Sequence, residues 1–307
     1  MSAETGAQSQ SLLHPRNAIS FLLVSLIWGS TWWVILGQIE AVSPTWSVAM
    51  RFAIAAPAMF VVALVMGKSL ALGKHGHLLA LAIGLVQFGL NLNFVYRAEL
   101  HLTSGIVATM FGLQIVTNAV LGLIFLGQQI TRNFVIGTFV ALTGVSLLLV
   151  HEWQAGKVGG DVPLGIVLAI AGILAASIAN IMQAGKTGRS VPMVSMLAWA
   201  MLYGTLMNVA FAWAIAGPPV FPSAPEFWAG LAWLALAGSV LTFPLHYTLV
   251  REIGAGRATY SNILVIIIAM LLSTVFEGYS WTPLTASGAV FALAGLLIAL
   301  RARKPSR

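Results

Sequence analysis

The chain is 307 residues long, 59% hydrophobic and only 7% charged, with a formal net charge of +7. A soluble domain carries about a quarter charged residues, so this composition excludes a single water-soluble core and makes lipid the solvent. The basic residues sit in short loops and at the tail, a pattern of membrane orientation rather than of nucleic-acid binding, and with no cysteine there is neither a disulfide framework nor a thiolate metal site.

Residues through Gln10 are polar and lack a signal-peptide cleavage pattern, so the first apolar run is expected to be retained as a span. About 20 apolar residues cross the hydrocarbon as helix. Such runs are predicted over 17–38, 44–66, 77–98, 103–125, 132–151, 162–184, 192–216, 226–249, 256–276 and 284–301. Pro and Gly punctuate the linkers, as at Ser43-Pro44, Gly217-Pro218-Pro219 and Thr282-Pro283. The expected fold class is an all-α membrane protein of ten transmembrane helices. It divides into a cytoplasmic tail (1–16), a five-helix unit (17–151), an external linker (152–161), a second five-helix unit (162–301) and a basic cytoplasmic tail (302–307).

Ten spans place both termini on one side. That face would hold Arg16, Lys68, Lys74, Arg132, Lys186, Arg189, Arg251, Arg257 and the basic C-terminal residues, against only Arg97 and Lys157 on the other. The positive-inside rule makes the termini cytoplasmic. The halves also echo one another: Tyr96, Gly105, Gly137 and Gly144 recur 151 positions later as Tyr247, Gly256, Gly288 and Gly295. An odd number of spans per unit inverts the second copy, an arrangement typical of transporters.

The recurring pieces are a Tyr near the end of the third span, a Gly-containing entry to the fourth (Thr103-Ser104-Gly105; Gly254-Ala255-Gly256) and a Gly pair in the fifth. With Leu26-Ile27-Trp28-Gly29-Ser30 in span one and Arg51-Phe52 in span two, the pattern resembles the EamA-type transporters of the drug/metabolite transporter superfamily. The resemblance covers nearly the whole chain, and within the superfamily it is most similar to the YddG-type aromatic amino acid exporters. It departs where the family has Gly-Glu after span four: here Gly127-Gln128 and Phe276-Glu277 stand instead, so a mechanism requiring both acids is not expected. The resemblance implies export of aromatic amino acids and related metabolites across a bacterial inner membrane. It also implies a cavity among spans one, three, four, six, eight and nine, with contributions from two and seven.

Helical spacing nominates side chains for that cavity. Ser25, Trp28 and Trp32 share a face of span one, and Trp28 lies too deep for an interfacial belt, which is the reading for Trp33 first and for Trp32 second. Gln87 and Asn91, four residues apart in span three, share a face, as do Met110, Gln114 and Asn118 in span four; the alternative for the amides is interhelical hydrogen bonding. Trp199, Tyr203 and Met207 repeat the interval in span seven, where packing or lipid anchoring is the alternative, as it is for Trp46 at the outer mouth. Ser177, Asn180 and Gln183 in span six, with Tyr260, Ser261 and Asn262 in span nine, could frame an inner gate; helix capping explains Ser261 and Gln183 equally well.

Span eight carries Ser239, Thr242 and His246 on one face around Pro244, a candidate hinge. His246 can titrate near neutral pH, which makes it a coupling candidate, although a structural role is the more usual one. Arg51 is a permanent charge inside a span and needs a partner or a wet cavity: it either captures a substrate carboxylate, or snorkels or hydrogen-bonds loop carbonyls. No phosphate-binding loop, convergent catalytic set or metal-ligand spacing is present, so no cofactor and no enzymatic activity is expected. The partners expected are a small solute and membrane lipid. A small-solute channel is the rival class, disfavoured by the inverted repeat and by stripes too aromatic for ions.

Overall fold

The computed structural model describes residues 15–155, 160–253, 258 and 261–301, and all regular secondary structure among them is helical. Eight helices contain stretches long and apolar enough to cross a membrane. They are α1 (Pro15–Ala41), α2 (Pro44–Val65), α3 (Gly73–Ala98), α4 (Ser104–Leu126), α5 (Arg132–Ala155), α6 (Val162–Ala184), α7 (Met193–Ala216) and α8 (Pro225–Glu252). Two shorter apolar helices follow, α9 (Ser261–Phe276) and α10 (Pro283–Arg301). The repeat's Gly254, Ala255 and Gly256 and the gate candidate Tyr260 lie outside the described residues.

Helix starts follow local chemistry. Proline stands in the first turn of α2, α6 and α8, where a backbone N–H has no helical partner to lose. Asp161 caps α6, its Oδ1 accepting the backbone N–H of Leu164 at 3.1 Å. The outer face of the bundle is apolar, with Phe125, Phe139 and Val65 exposed, while polar side chains such as Gln87, Asn91, Asn118 and Ser239 are buried within an otherwise apolar core. Such polar groups are costly in hydrocarbon and have to face protein or a cavity.

The echoed glycines make a helix seam. A Cβ on Gly137 would lie 2.3 Å from the backbone N of Ala299 and 2.7 Å from the Gly295 carbonyl oxygen, and one on Gly144 would lie 2.2 Å from the N of Ala292 and 2.5 Å from the Gly288 oxygen. As the position advances by seven in α5 it retreats by seven in α10, so the two helices run antiparallel. Only glycine permits this backbone approach, and dispersion between closely apposed backbones stabilises helix pairs where the hydrophobic effect cannot. The α4–α9 pair is also antiparallel, Gly105 meeting Met270 and Ser273 while Gly112 meets Ile266.

Three departures from regular helix shape the interior. A π-helical segment occupies Gly84–Asn91 in α3 and another Trp233–Leu241 in α8. The helical distortion in α8 thus lies in the turns before Pro244, the candidate hinge, and α3 distorts at the corresponding depth without a proline. In α4 the helix tightens around Leu113, whose N–H bonds the Met110 carbonyl while its own carbonyl accepts from Val116, both i to i+3.

Candidate functional site

The bundle forms a partly open cavity between its halves, of about 100 Å³, room for a small molecule rather than a lone water. Its walls come from α1, α2, α3, α4, α6, α8 and α9; no described residue of α7 takes part. Of the nominated residues, Trp28, Arg51, Gln87, Asn91, Gln114, Asn180, His246 and Asn262 all line it.

The π segment of α8 organises one wall. The Gly238 carbonyl accepts from Trp28 Nε1 at 3.2 Å and from an Arg51 terminal nitrogen at 3.3 Å. A Cβ on Gly238 would lie 3.0 Å from Thr31 Cγ2 and 3.3 Å from that Arg51 nitrogen, so the missing side chain is what lets α1 and α2 converge there. Ser239 Oγ accepts from Arg51 Nε at 3.0 Å and donates to the Leu234 carbonyl, and the second terminal nitrogen of Arg51 donates to Tyr96 Oη at 3.2 Å. Arg51 is therefore held by structural hydrogen bonds, to α8 and α3 rather than to loop carbonyls, and still faces the cavity. The Trp28 indole packs against the His246 ring at 4.8 Å and the Phe243 ring at 5.5 Å, and the buried Nδ1 of His246 has no hydrogen-bond partner among the described residues.

The π segment of α3 organises the opposite side. Gln87 Nε2 donates to Asn91 Oδ1 at 3.1 Å, Asn91 Nδ2 donates to the Gly172 carbonyl of α6 at 2.8 Å, and Tyr247 Oη reaches Gln87 Oε1 at 3.5 Å. These amides both line the cavity and tie α3, α6 and α8 together, so the two readings of them describe one arrangement. Gln114, Asn180 and Asn262 also line the cavity, and their amide groups make no hydrogen bond within the described residues.

Met110, Trp199 and Tyr203 are placed elsewhere. Met110 is buried in the core: the tightening at Leu113 shifts the phase of α4, so Ala108, Phe111 and Gln114 line the cavity at intervals of three, where a regular helix would have presented Met110, Gln114 and Asn118. Trp199 Nε1 donates to the Leu70 carbonyl at 2.9 Å, Tyr203 Oη pairs with His77 Nδ1 at 2.9 Å, and the Trp199 and His77 rings meet at 4.8 Å. This cluster ties α7 to α3 and to the α2–α3 loop. Trp46 bonds the Gly217 carbonyl, and Gln183 accepts from Arg251; both are packing roles.

Several wall residues had no clear signal. Trp32, read as a belt residue, is buried and lines the cavity beside Phe111 at 5.2 Å, whereas its neighbour Trp33 is 38% exposed and stacks on Phe276. Spacing holds that cue, because Trp28, Trp32 and Ile35 follow one helical face. Phe243 and Tyr247 sit four apart in α8, the helical interval that brings both to the cavity.

Glu277, the acid retained where the family pattern has Gly-Glu, does not line the cavity. Its carboxylate accepts from the Ser104 backbone N–H at 3.1 Å and from the Ser104 hydroxyl, so it caps α4 from the end of the neighbouring helix α9. An anion at a helix N-terminus offsets the dipole and satisfies free N–H groups. Glu277→Gln should therefore lower thermal stability in detergent by about 1 kcal/mol. An unchanged melting profile together with a lost response to a pH gradient would instead make Glu277 a coupling residue.

An apolar-shelled bundle of long helices around an aromatic and polar cavity places the chain among multi-pass membrane proteins. The chain belongs to the EamA-like transporter family, within the drug/metabolite transporter superfamily, residues 16–150 and 163–301 each matching the family pattern. It is similar to Protein PagO of Salmonella typhimurium, 23% identical over 86% of each chain, and to an uncharacterized transporter of Archaeoglobus fulgidus, 24% identical over 93% of this chain and 99% of that one. A solved crystal structure, 18% identical, shares the fold with a TM-score of 0.66 over 92% of this chain and 96% of its own.

Proposed function

We propose that this EamA-type transporter is a YddG-type exporter of aromatic amino acids and related small metabolites, working by alternating access across a bacterial inner membrane with both termini cytoplasmic. One observation carries the reading: Trp28, Trp32, Phe111 and Phe243 wall a cavity that also holds Arg51, Gln114, Asn180 and Asn262, an apolar slot for a ring beside hydrogen-bonding groups for a polar head. In this reading α1 to α10 are ten spans in two inverted units, 17–151 and 162–301. Support comes from the antiparallel α5–α10 seam, whose contacts map onto themselves when Gly137 is exchanged with Gly288 and Gly144 with Gly295. The paired π segments of α3 and α8 support it too, since interrupted helices at a repeat interface are where such carriers bind solute.

Counterflow in proteoliposomes with labelled Phe, Trp and Thr tests this. Saturable, trans-stimulated uptake of Phe and Trp is expected. Counterflow of other solutes without any aromatic transport would reassign the substrate within the family, and nonsaturable flux without exchange would favour a channel. In the same vesicles, a pH-gradient response that survives His246→Ala would remove His246 as the coupling group.

A further inference from the structure

We propose that the cavity selects its solute by the carboxylate and not by the ammonium: aromatic monocarboxylates without an amine, such as arylpropionates, are accepted at least as well as the matching amino acids, while aromatic amines are rejected. This rests on the cavity being the substrate site, and it narrows the substrate class beyond aromatic amino acids.

Arg51 is 3% exposed, yet it lines the cavity. A guanidinium carries five N–H donors. Three are used, on the Ser239 hydroxyl, the Tyr96 hydroxyl and the Gly238 carbonyl, which leaves two. All three acceptors are neutral, so none offsets the charge. A buried cation hydrogen-bonded only to neutral groups, and otherwise lying over the Phe52 ring at 5.6 Å, gains most from an anion that reaches it, and guanidinium–carboxylate pairing with two N–H groups is the geometry that does so.

Nothing comparable waits for an ammonium. The described lining contains no Asp or Glu; its titratable members besides Arg51 are His246 and Tyr247. Glu99, which follows the last residue of α3, is wholly buried and not part of the lining. The amides of Gln114, Asn180 and Asn262 have no protein partner among the described residues, and each offers donors and an acceptor alike. They can accept a 2-oxo, a 2-hydroxy or an amino group with little discrimination. An added cation would share a low-dielectric space with Arg51, where like charges repel strongly.

The test is a fluorescence titration of the detergent-purified full chain with four ligands that share one ring: 3-phenylpropionate, phenylalanine, phenylalaninamide and phenethylamine. The acid should bind as tightly as phenylalanine or more tightly, and the amide and the amine at least about tenfold more weakly, the scale of one charge-assisted pair. Arg51→Gln should erase that ranking and Arg51→Lys should keep part of it. If Arg51→Gln does not fold, the wild-type ranking decides alone. Equal binding of amine and acid, or a ranking that survives Arg51→Gln, overturns carboxylate selection while leaving the aromatic cavity intact. If none of the four binds, or if Trp28→Ala binds all four unchanged, the cavity reading fails and this inference with it.

Discussion

Gly144→Leu is expected to prevent folding. Its Cβ would stand 2.2 Å from the Ala292 backbone nitrogen and 2.5 Å from the Gly288 oxygen, and backbone atoms cannot swing aside as a flexible side chain can. Relief requires α5 and α10 to separate, which opens the seam over its whole length and also frees Gly137, Gly288 and Gly295 from their contacts. Overpacking of this kind costs about 3 kcal/mol or more, a large part of the stability of any domain. Gly37→Leu is the matched control, because nothing lies within 4 Å of a Cβ built there. Thermal unfolding monitored by size-exclusion chromatography in detergent should show the first variant aggregated and the second unchanged. Equal behaviour of the two would mean that the seam does not hold the fold together.

Trp28→Ala should leave the fold standing and remove transport. The indole faces the cavity, packs on His246 and Phe243, and shares the Gly238 carbonyl with Arg51. Truncation widens the slot, removes a stacking face and leaves that carbonyl to Arg51 alone. Flux at subsaturating substrate should fall by about tenfold or more, whereas Trp33→Ala, on the exposed side of the same helix, should transport normally. Trp28→Phe keeps a ring and loses the donor, so it should fall between them. Normal counterflow by Trp28→Ala would place the substrate elsewhere.

The asymmetry between the halves bears on both results. Position 238 echoes Gln87, and position 179 echoes Trp28. Where the first half supplies an amide side chain, the second supplies a bare carbonyl at Gly238, which fixes Trp28 and Arg51. Solute recognition at the seam of a duplicated framework can therefore be one-sided without disturbing the glycine contacts that hold the framework.

Helix positions were readable to within a few residues because lipid requires long apolar runs and because Pro and Gly mark their ends. Eight of the eleven nominated residues line the cavity because a polar or deep aromatic side chain in hydrocarbon must face inward. Trp199 and Tyr203 met the same criterion and instead pack against His77 and Leu70. Local spacing cannot tell a helix–helix contact from a cavity wall, since both are interior.

The sequence by itself determined the apolar solvent, the positions of the long apolar helices, the echoed glycines and the family, all of which depend on composition and spacing along the chain. Only the tertiary structure decided which face of each helix meets lipid, so that Trp32 turns inward while Trp33 stays out. It also decided the π turns of α3 and α8 and the tight turn at Leu113, which re-aim every side chain after them. The physical reason is twofold. Lipid tails and protein interior are equally apolar, so hydropathy does not separate them; and a change of one residue in backbone hydrogen-bond register is small in local energy, so neighbouring helices choose it.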